Sequence, residues 1–372
     1  MKKKIFLLYP YYWPHYKAGG PVQSLFNLAG TLKDTAQFFL VSNQSDIDRS
    51  SPNRFINVNR WNSGVNGENI FYAQWISPWL IFRLLKRINP EVVLINGMFN
   101  ISTTIPGILA SRWFNCRVII SPRGMLQEWG LQRGKLKKRI FLKLLKLLLY
   151  QNEEWHATDE QERSDILKIF GASQVIHLAP NIPRRVSELT DLPFAKQDEK
   201  IKLVFLSLIN PNKNLHQIID AVKLNERFQL DIYGPVADAS YWKLCWLKMT
   251  GAETIRYLGA VPPWNISEIL KNYHFFVLPT QGENFGHAIF DALSSSVPVI
   301  ISRNTPWKEI DGSGAGFYLD INNATNLDSI LKYISGLSDS DYKSYRVSAH
   351  HYAKQFWSSK NYLNDYQFLL GS

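Results

Sequence analysis

The chain has 372 residues, 45% of them apolar and 20% charged. That is enough for two domains with separate cores and excludes a disordered chain. The formal net charge of +11 implies an anionic partner, with nucleic acid, anionic lipid and phosphorylated substrates as the classes that qualify. Only Cys116 and Cys245 are present, which excludes a disulfide framework or a Cys-rich metal site and fits a reducing cytoplasm.

The start, Met1-Lys-Lys-Lys-Ile-Phe-Leu-Leu-Tyr9, has too short an apolar part for a signal peptide and no small-residue cleavage site. It reads as a buried strand over Lys4–Tyr9. No apolar run approaches the ~18 residues of a membrane span. After a loop over Tyr11–Gly20, Pro21 opens a helix with Leu25, Leu28, Ala29 and Leu32 on one face. Gly19-Gly20 at that turn is either a plain turn or a place where backbone approaches a phosphate. Phe38–Val41 predicts a second strand. Asp46-Ile-Asp48 after it has the D-x-D form of a metal-holding triplet, but it sits among Asn and Ser and reads as an ordinary polar loop. Residues 49–70 predict a long surface loop or hairpin.

Val92–Ile95 and Arg117–Ile120 predict parallel strands ending in the turns Asn96-Gly97 and Ser121-Pro-Arg-Gly124, both on a carboxyl edge. The stretch KLKKRIFLKLLKLLLY, residues 135–150, is a basic amphipathic helix. Lys135, Lys138, Arg139, Lys143 and Lys146 gather on one side, and Leu136, Ile140, Phe141, Leu144, Leu145 and Leu148 cover the rest. Such a helix either lies on an anionic membrane with its lysine stems snorkelling or packs on the core with a solvated basic face. Thr158-Asp-Glu-Gln-Glu162 opens another helix with acids in its first turn. Val175–Ala179 leads to Pro180-Asn181, and residues 182–200 read as a linker.

Ile201–Leu208, Leu230–Tyr233 and Arg256–Gly259 predict strands of a second domain, with Lys213 at a helix start after the first of them. The most informative stretch is HFFVLPTQGENFGHAIFDALSSSVPVIISRNTPW, residues 274–307. Its apolar runs Phe275–Leu278 and Val297–Ile301 bracket a glycine-bearing loop and a helix with Ala288, Asp291 and Ala292 on one face. This is a βαβ unit whose loop lies where open α/β sheets bind ligands. Helix-start amides near Gly286 and His287 suit a diphosphate, while Glu283 and Asp291 suit sugar and ribose hydroxyls. Past Asp341, Tyr342, Tyr345, Tyr352, Phe356, Trp357, Tyr362 and Tyr366 form an aromatic tail.

Pro279-Thr280, Glu283-Asn-Phe-Gly-His287, Asp291-Ala-Leu293 and Pro298-Val-Ile-Ile301 together resemble retaining glycosyltransferase family 4, of the GT-B architecture, and most of all the bacterial enzymes of capsule and O-antigen assembly. The resemblance implies two Rossmann-like domains facing across a cleft: 1–183, a linker 184–200, and 201–349, with a C-terminal helix 350–372 packing back on the first. It implies Lys213, Glu283 and Arg123 as catalytic. Donor contacts fall on Gly19, Gly20, Asn284, Phe285, Gly286, His287 and Asp291, and a base pocket on Gly234 and Val261. The basic helix then faces the membrane or acceptor. No metal and no cofactor are implied.

Four positions depart from the family pattern. Asp291 replaces a glutamate, about 1.5 Å shorter in reach. Asn96 and Arg123 stand where relatives often carry histidine, and Leu208 stands where an arginine usually joins the lysine on the diphosphate. Arg123 and Arg303 are the cations available to replace that arginine. The implied activity is transfer of a sugar from a nucleotide-diphosphate donor to a lipid-linked or oligosaccharide acceptor, at the cytoplasmic face of the plasma membrane. A non-catalytic nucleotide-sugar-binding relative is the alternative. A nucleic-acid-binding protein comes last, because the basic residues gather on one leucine-rich helix without interleaved aromatics.

Overall fold

The computed structural model describes residues 2–48, 55–132, 134–149, 153–186, 200–223 and 225–371. These form two compact units, Met1–Ile182 with Asn361–Ser372, and Pro183–Lys360.

The first unit runs β1 (Lys3–Leu8), α1 (Gly20–Thr31), β2 (Ala36–Asn43), β3 (Trp61–Ser63), β4 (Asn69–Ala73), α2 (Pro78–Ile88), β5 (Val92–Asn96), α3 (Ile101–Trp113), β6 (Arg117–Ser121), α4 (Glu128–Gln132), α5 (Lys135–Leu148), β7 (Glu154–Ala157), α6 (Glu160–Phe170) and β8 (Val175–Leu178). Its sheet has the order β3-β4-β2-β1-β5-β6-β7-β8, parallel throughout except for the β3–β4 hairpin. The central strands are apolar on both faces, as a sheet covered by crossover helices requires. Local chemistry sets the helix ends. Ser77 Oγ accepts from Leu80 N–H at 3.1 Å to open α2, and Asn89 closes it in the left-handed region at φ 49°. The apolar faces of α2, α3, α5 and α6 share one core on one side of the sheet.

The second unit runs β9 (Ile201–Leu206), α7 (Leu215–Lys223), β10 (Phe228–Tyr233), α8 (Ala239–Met249), β11 (Ile255–Gly259), α9 (Ile266–Leu270), β12 (Phe275–Leu278), α10 (His287–Ser294), β13 (Val299–Ser302), β14 (Gly316–Leu319), α11 (Ala324–Ser335) and α12 (Asp339–Ser358). Its six strands are all parallel, in the order β11-β10-β9-β12-β13-β14.

The expected C-terminal helix 350–372 is corrected. Helix α12 packs on the second unit through Tyr342, Ala349 and Ala353, and its Tyr352, Phe356 and Trp357 lean on the same core. Only a short helix, α13 (Tyr362–Leu370), belongs to the first unit. There the Tyr366 ring meets His156 edge-on at 5.5 Å, and the carbonyl of Gly371 accepts from Lys3 Nζ at 2.6 Å. The aromatic tail is therefore two features, not one docking stripe. Of the expected linker 184–200, residues 184–186 go with the second unit, and 187–199 lie outside the described residues.

Candidate functional site

In each sheet the chain steps outward from a central strand in one direction and then returns to build the other side. The reversal opens a crevice at the carboxyl ends of two neighbouring strands. In the second unit those strands are β9 and β12. The β9 loop makes a short turn, Pro211–Lys213, followed by Asn214 in the left-handed region at φ 48°. It is laced to the β12 loop. Gln281 N–H donates to the Asn212 carbonyl at 2.8 Å, Asn212 Nδ2 to the Gly282 carbonyl at 3.1 Å, and Asn214 Nδ2 to the Pro279 carbonyl at 2.9 Å. This lacing brings Lys213 and Glu283 together: Lys213 Nζ donates to Glu283 Oε1. An ammonium has three N–H groups, so this bond leaves the lysine further donors.

Gly286 follows, at φ 80°, and precedes α10 without any side-chain cap. The conformation favours glycine, and a Cβ there would sit 2.8 Å from Ile289 Cδ1 and 3.3 Å from Trp307 Nε1, so those side chains would have to shift. Within the first turn Ile289 N–H donates to the Gly286 carbonyl at 2.9 Å, and the positive end of the helix dipole there attracts anions. The Phe285 ring is buried against Trp307, His287 and Phe356, and its carbonyl accepts from Trp307 Nε1 at 2.6 Å. The Phe285 side chain thereby anchors the loop to the core. Asn284 is half-buried beside it.

Asp291 is 6% exposed on α10, and its Oδ1 lies 3.9 Å from Arg184 Nε. Burial pushes its carboxyl up, and the Arg184 guanidinium opposes the rise. Arg184 was missed because its surroundings read as linker; no local pattern marks it. Arg303, by contrast, is exposed, lies 3.5 Å from Asp311 and covers the Tyr318 ring at 4.2 Å. Leu208 is half-buried and brings no charge. At Gly234 a Cβ would come within 1.8 Å of the Ser207 carbonyl oxygen, and the Gly234 carbonyl already accepts from Tyr257 Oη at 3.0 Å. Close backbone approach therefore requires glycine at this position. Val261 packs against the second unit's core.

In the first unit the reversal falls between β1 and β5. Gly19, at φ 78°, ends the β1 loop, and Gly20 begins α1. The two carboxylates of the D-x-D triplet brace this loop: Asp46 Oδ2 accepts from Lys17 N–H at 3.0 Å and Asp48 Oδ2 from Lys17 Nζ at 2.5 Å. Arg123 is 7% exposed in the left-handed region at φ 56°. Its Nε donates to Asn96 Oδ1 and its Nη1 to Asn181 Oδ1, both at 2.7 Å. Its Nη2, and Nδ2 of Asn96, are buried without a hydrogen-bond partner.

Beneath Arg123 lies Glu162, expected as an ordinary first-turn acid and found fully buried. It accepts from Gly124 N–H at 2.6 Å, Thr158 N–H at 2.8 Å and Thr158 Oγ1 at 2.7 Å. Burial raises its pKa, against the pull of those donors and of Arg123. His156 is buried between Ser121 Oγ at 2.9 Å and the Ala179 carbonyl at 2.8 Å, and desolvation holds its pKa well below the usual value. The inward turn of Glu162 and His156 had no signal in the sequence.

On α5 only Phe141 and Leu145 are buried, while Leu136, Ile140, Leu144 and Leu147 are exposed. Lys135, Arg139, Lys143 and Lys146 are exposed too. Lys138 folds back to donate to the Gly130 carbonyl and covers the Phe99 ring at 5.0 Å. The reading of α5 as a helix whose whole apolar arc packs on the core is thereby set aside. Among the described residues no helix is long and apolar enough to cross a membrane, and no three His, Cys, Asp or Glu side chains converge.

Against known proteins, the family described as glycosyl transferases group 1 matches residues 190–354. The O-antigen chain mannosyltransferase B of Escherichia coli is 30% identical over 138 residues. That match covers 35% of this chain, and the chain spans about a third, 35%, of that relative's length. Among solved structures, sucrose-phosphate synthase from Thermosynechococcus elongatus superposes with a TM-score of 0.75 at 12% identity, covering 99% of this chain and 98% of the other. HepE from Anabaena, in complex with UDP-glucose, gives 0.70 at 14% identity over 99% and 98%. Residues 190–354 are therefore a group 1 glycosyltransferase domain, carried in a chain with the two-sheet GT-B fold.

Proposed function

We propose that the protein transfers a sugar from a nucleotide-diphosphate donor to a saccharide acceptor, with retention at the anomeric carbon, in bacterial surface polysaccharide assembly. The Lys213–Glu283 pair, set beside the uncapped start of α10 inside the matched domain, carries this reading. As the bond from the anomeric carbon to the diphosphate loosens, negative charge grows on the leaving oxygen. Lys213 and the first N–H groups of α10 stabilise that charge. The acceptor hydroxyl attacks on the face the diphosphate leaves, and its proton passes to a phosphate oxygen. Glu283 and Asp291 accept hydrogen bonds from donor hydroxyls. No protein nucleophile takes part.

The diphosphate is met by protein cations and amides, without a metal. The two acids of the D-x-D triplet hold Lys17, which leaves them a bracing role. Turnover unchanged by EDTA is the expected outcome; loss restored by Mg²⁺ or Mn²⁺ would overturn this part. The name of the E. coli relative supports a glycan acceptor, and the UDP-glucose complex of HepE supports a nucleotide-sugar donor. The exposed leucines and lysines of α5 favour a lipid-linked acceptor reached from the inner face of the plasma membrane. Reversing the charges of Lys135, Arg139 and Lys143 is expected to release the protein from anionic vesicles.

The test is thermal-shift screening with UDP-, GDP-, TDP- and CDP-sugars, each beside its free nucleotide, followed by NMR of the product's anomeric configuration. Stabilisation by one donor series and a retained anomer support the proposal; an inverted anomer contradicts it. A second reading, binding without turnover, is favoured by Leu208, where the usual cation is missing. Tight binding with neither transfer nor hydrolysis would select it.

A further inference from the structure

Helices α2 and α3 pack side by side, and α5 shares the core beneath them. Contacts join them. Phe82 of α2 lies 6.1 Å from Trp113 and 4.7 Å from Phe114 at the end of α3, and Phe99, just before α3, lies 5.7 Å from Phe141 of α5. The exposed side chains of this region have two properties. First, they are apolar and aromatic. Trp79 is 70% exposed and stacks on Phe82 at 6.0 Å. Trp75 and Trp113 are 80% and 75% exposed, and Ile101 and Leu109 continue α3's outer stripe toward Trp113. Second, the region is basic. Arg83, Lys86 and Arg87 follow Trp79 on the exposed side of α2. Among the residues of α2, α3 and α5 there is no Asp or Glu, while α5 alone carries six basic residues.

Exposed tryptophans at this density are unfavourable in water and suited to a boundary where one end of the ring is wet and the other apolar. Exposed cations on the same helices, which carry no acid of their own, match anionic headgroups. We infer that the outer face of α2 and α3 is a second membrane contact, in which Trp79 and Trp113 insert at the headgroup level of an anionic bilayer while Arg83, Lys86 and Arg87 meet its phosphates. The inference rests on the membrane reading of α5 and enlarges it from one helix to three. Tryptophan supplies depth and α5 supplies charge.

The experiment uses the full chain with vesicles of phosphatidylethanolamine and phosphatidylglycerol, compared with phosphatidylcholine alone. The double variant Trp79→Ser/Trp113→Ser is expected to lose about tenfold or more in affinity for the anionic vesicles, keeping a residual binding that salt abolishes. Tryptophan emission of the wild-type protein is expected to be quenched by lipids brominated near the headgroup. That reading needs no variant and stands if the double variant fails to fold. Unchanged affinity of a folded double variant, or binding of wild type without quenching, overturns the inference. If reversal of Lys135, Arg139 and Lys143 alone abolishes binding while the tryptophan variant binds normally, the α5 reading survives and this one falls. If that reversal leaves binding intact and the tryptophan variant loses it, the reverse holds. A concentration-dependent dimer that the double variant abolishes, with no vesicle binding by wild type, would replace the bilayer by a second copy of the chain.

Discussion

The two sheets share one topology, yet the edges that carry their reversals are charged in different ways. In the second unit a cation and an anion meet directly, Lys213 on Glu283, in a loop pair fixed by backbone and amide hydrogen bonds. In the first, Arg123 is gripped by the neutral amides Asn96 and Asn181, and its nearby anion Glu162 spends its oxygens on backbone and hydroxyl donors. A direct pair leaves an ammonium that a phosphate can share. A cation held by amides lies in a low-dielectric site with two buried donors still to be met. One fold thus provides one edge with a direct ion pair and another with a cation gripped by amides.

Breaking the first edge is expected to matter most. Lys213→Ala should lower turnover by about 10²–10³ with the fold intact, as for loss of one preorganised donor to a developing anion. The check is single-turnover kinetics beside a melting curve. Arg123→Gln acts on the other edge and chiefly on stability. Losing two charge-assisted hydrogen bonds should destabilise the protein by about 3 kcal/mol, read as a fall of several degrees in the first unit's melting temperature. A variant as stable as wild type would mean that the amide grip contributes nothing.

Arg184→Ala sharpens the comparison more gently. The contact is long and partly exposed, so stability should change by about 1 kcal/mol or less. Removing the cation that opposes burial lets the Asp291 pKa rise further. The acid limb of donor affinity is then expected to move to higher pH, and titration of affinity against pH tests this. The smallest effect concerns His156. Its folded pKa lies below its unfolded value, so as pH falls through about 6.5 the unfolded chain takes up a proton that the folded one refuses, and stability drops. His156→Gln should flatten the wild-type slope of melting temperature between pH 7.5 and 5.5.

Much of the fold was legible because both sheets are built from short all-apolar runs separated by glycine and proline turns, a pattern that depends on few distant contacts. Glu283 was legible in the loop between such a strand and the helix after it, and Lys213 through the resemblance to family 4. What escaped depended on packing. The Phe285 ring joins an aromatic cluster with Trp307 and Phe356, which no local pattern marks. The Ser207 carbonyl's approach, which leaves no room for a Cβ at Gly234, is likewise set by a distant segment. The resemblance implied one C-terminal helix, but the polar run Ser358-Ser-Lys-Asn361 breaks it, and Asn361 caps α13 by accepting from Asn364 N–H at 3.3 Å. Arg184, Glu162 and His156 gain their surroundings from segments far along the chain.

The most direct test of the central claim is calorimetric binding of the responding nucleoside diphosphate, and of its monophosphate, to wild type and to Lys213→Ala. If the second unit grips a diphosphate through this ammonium, the variant should bind the diphosphate about tenfold or more weakly, with the monophosphate much less affected. Equal affinity of wild type and variant for the diphosphate would contradict it.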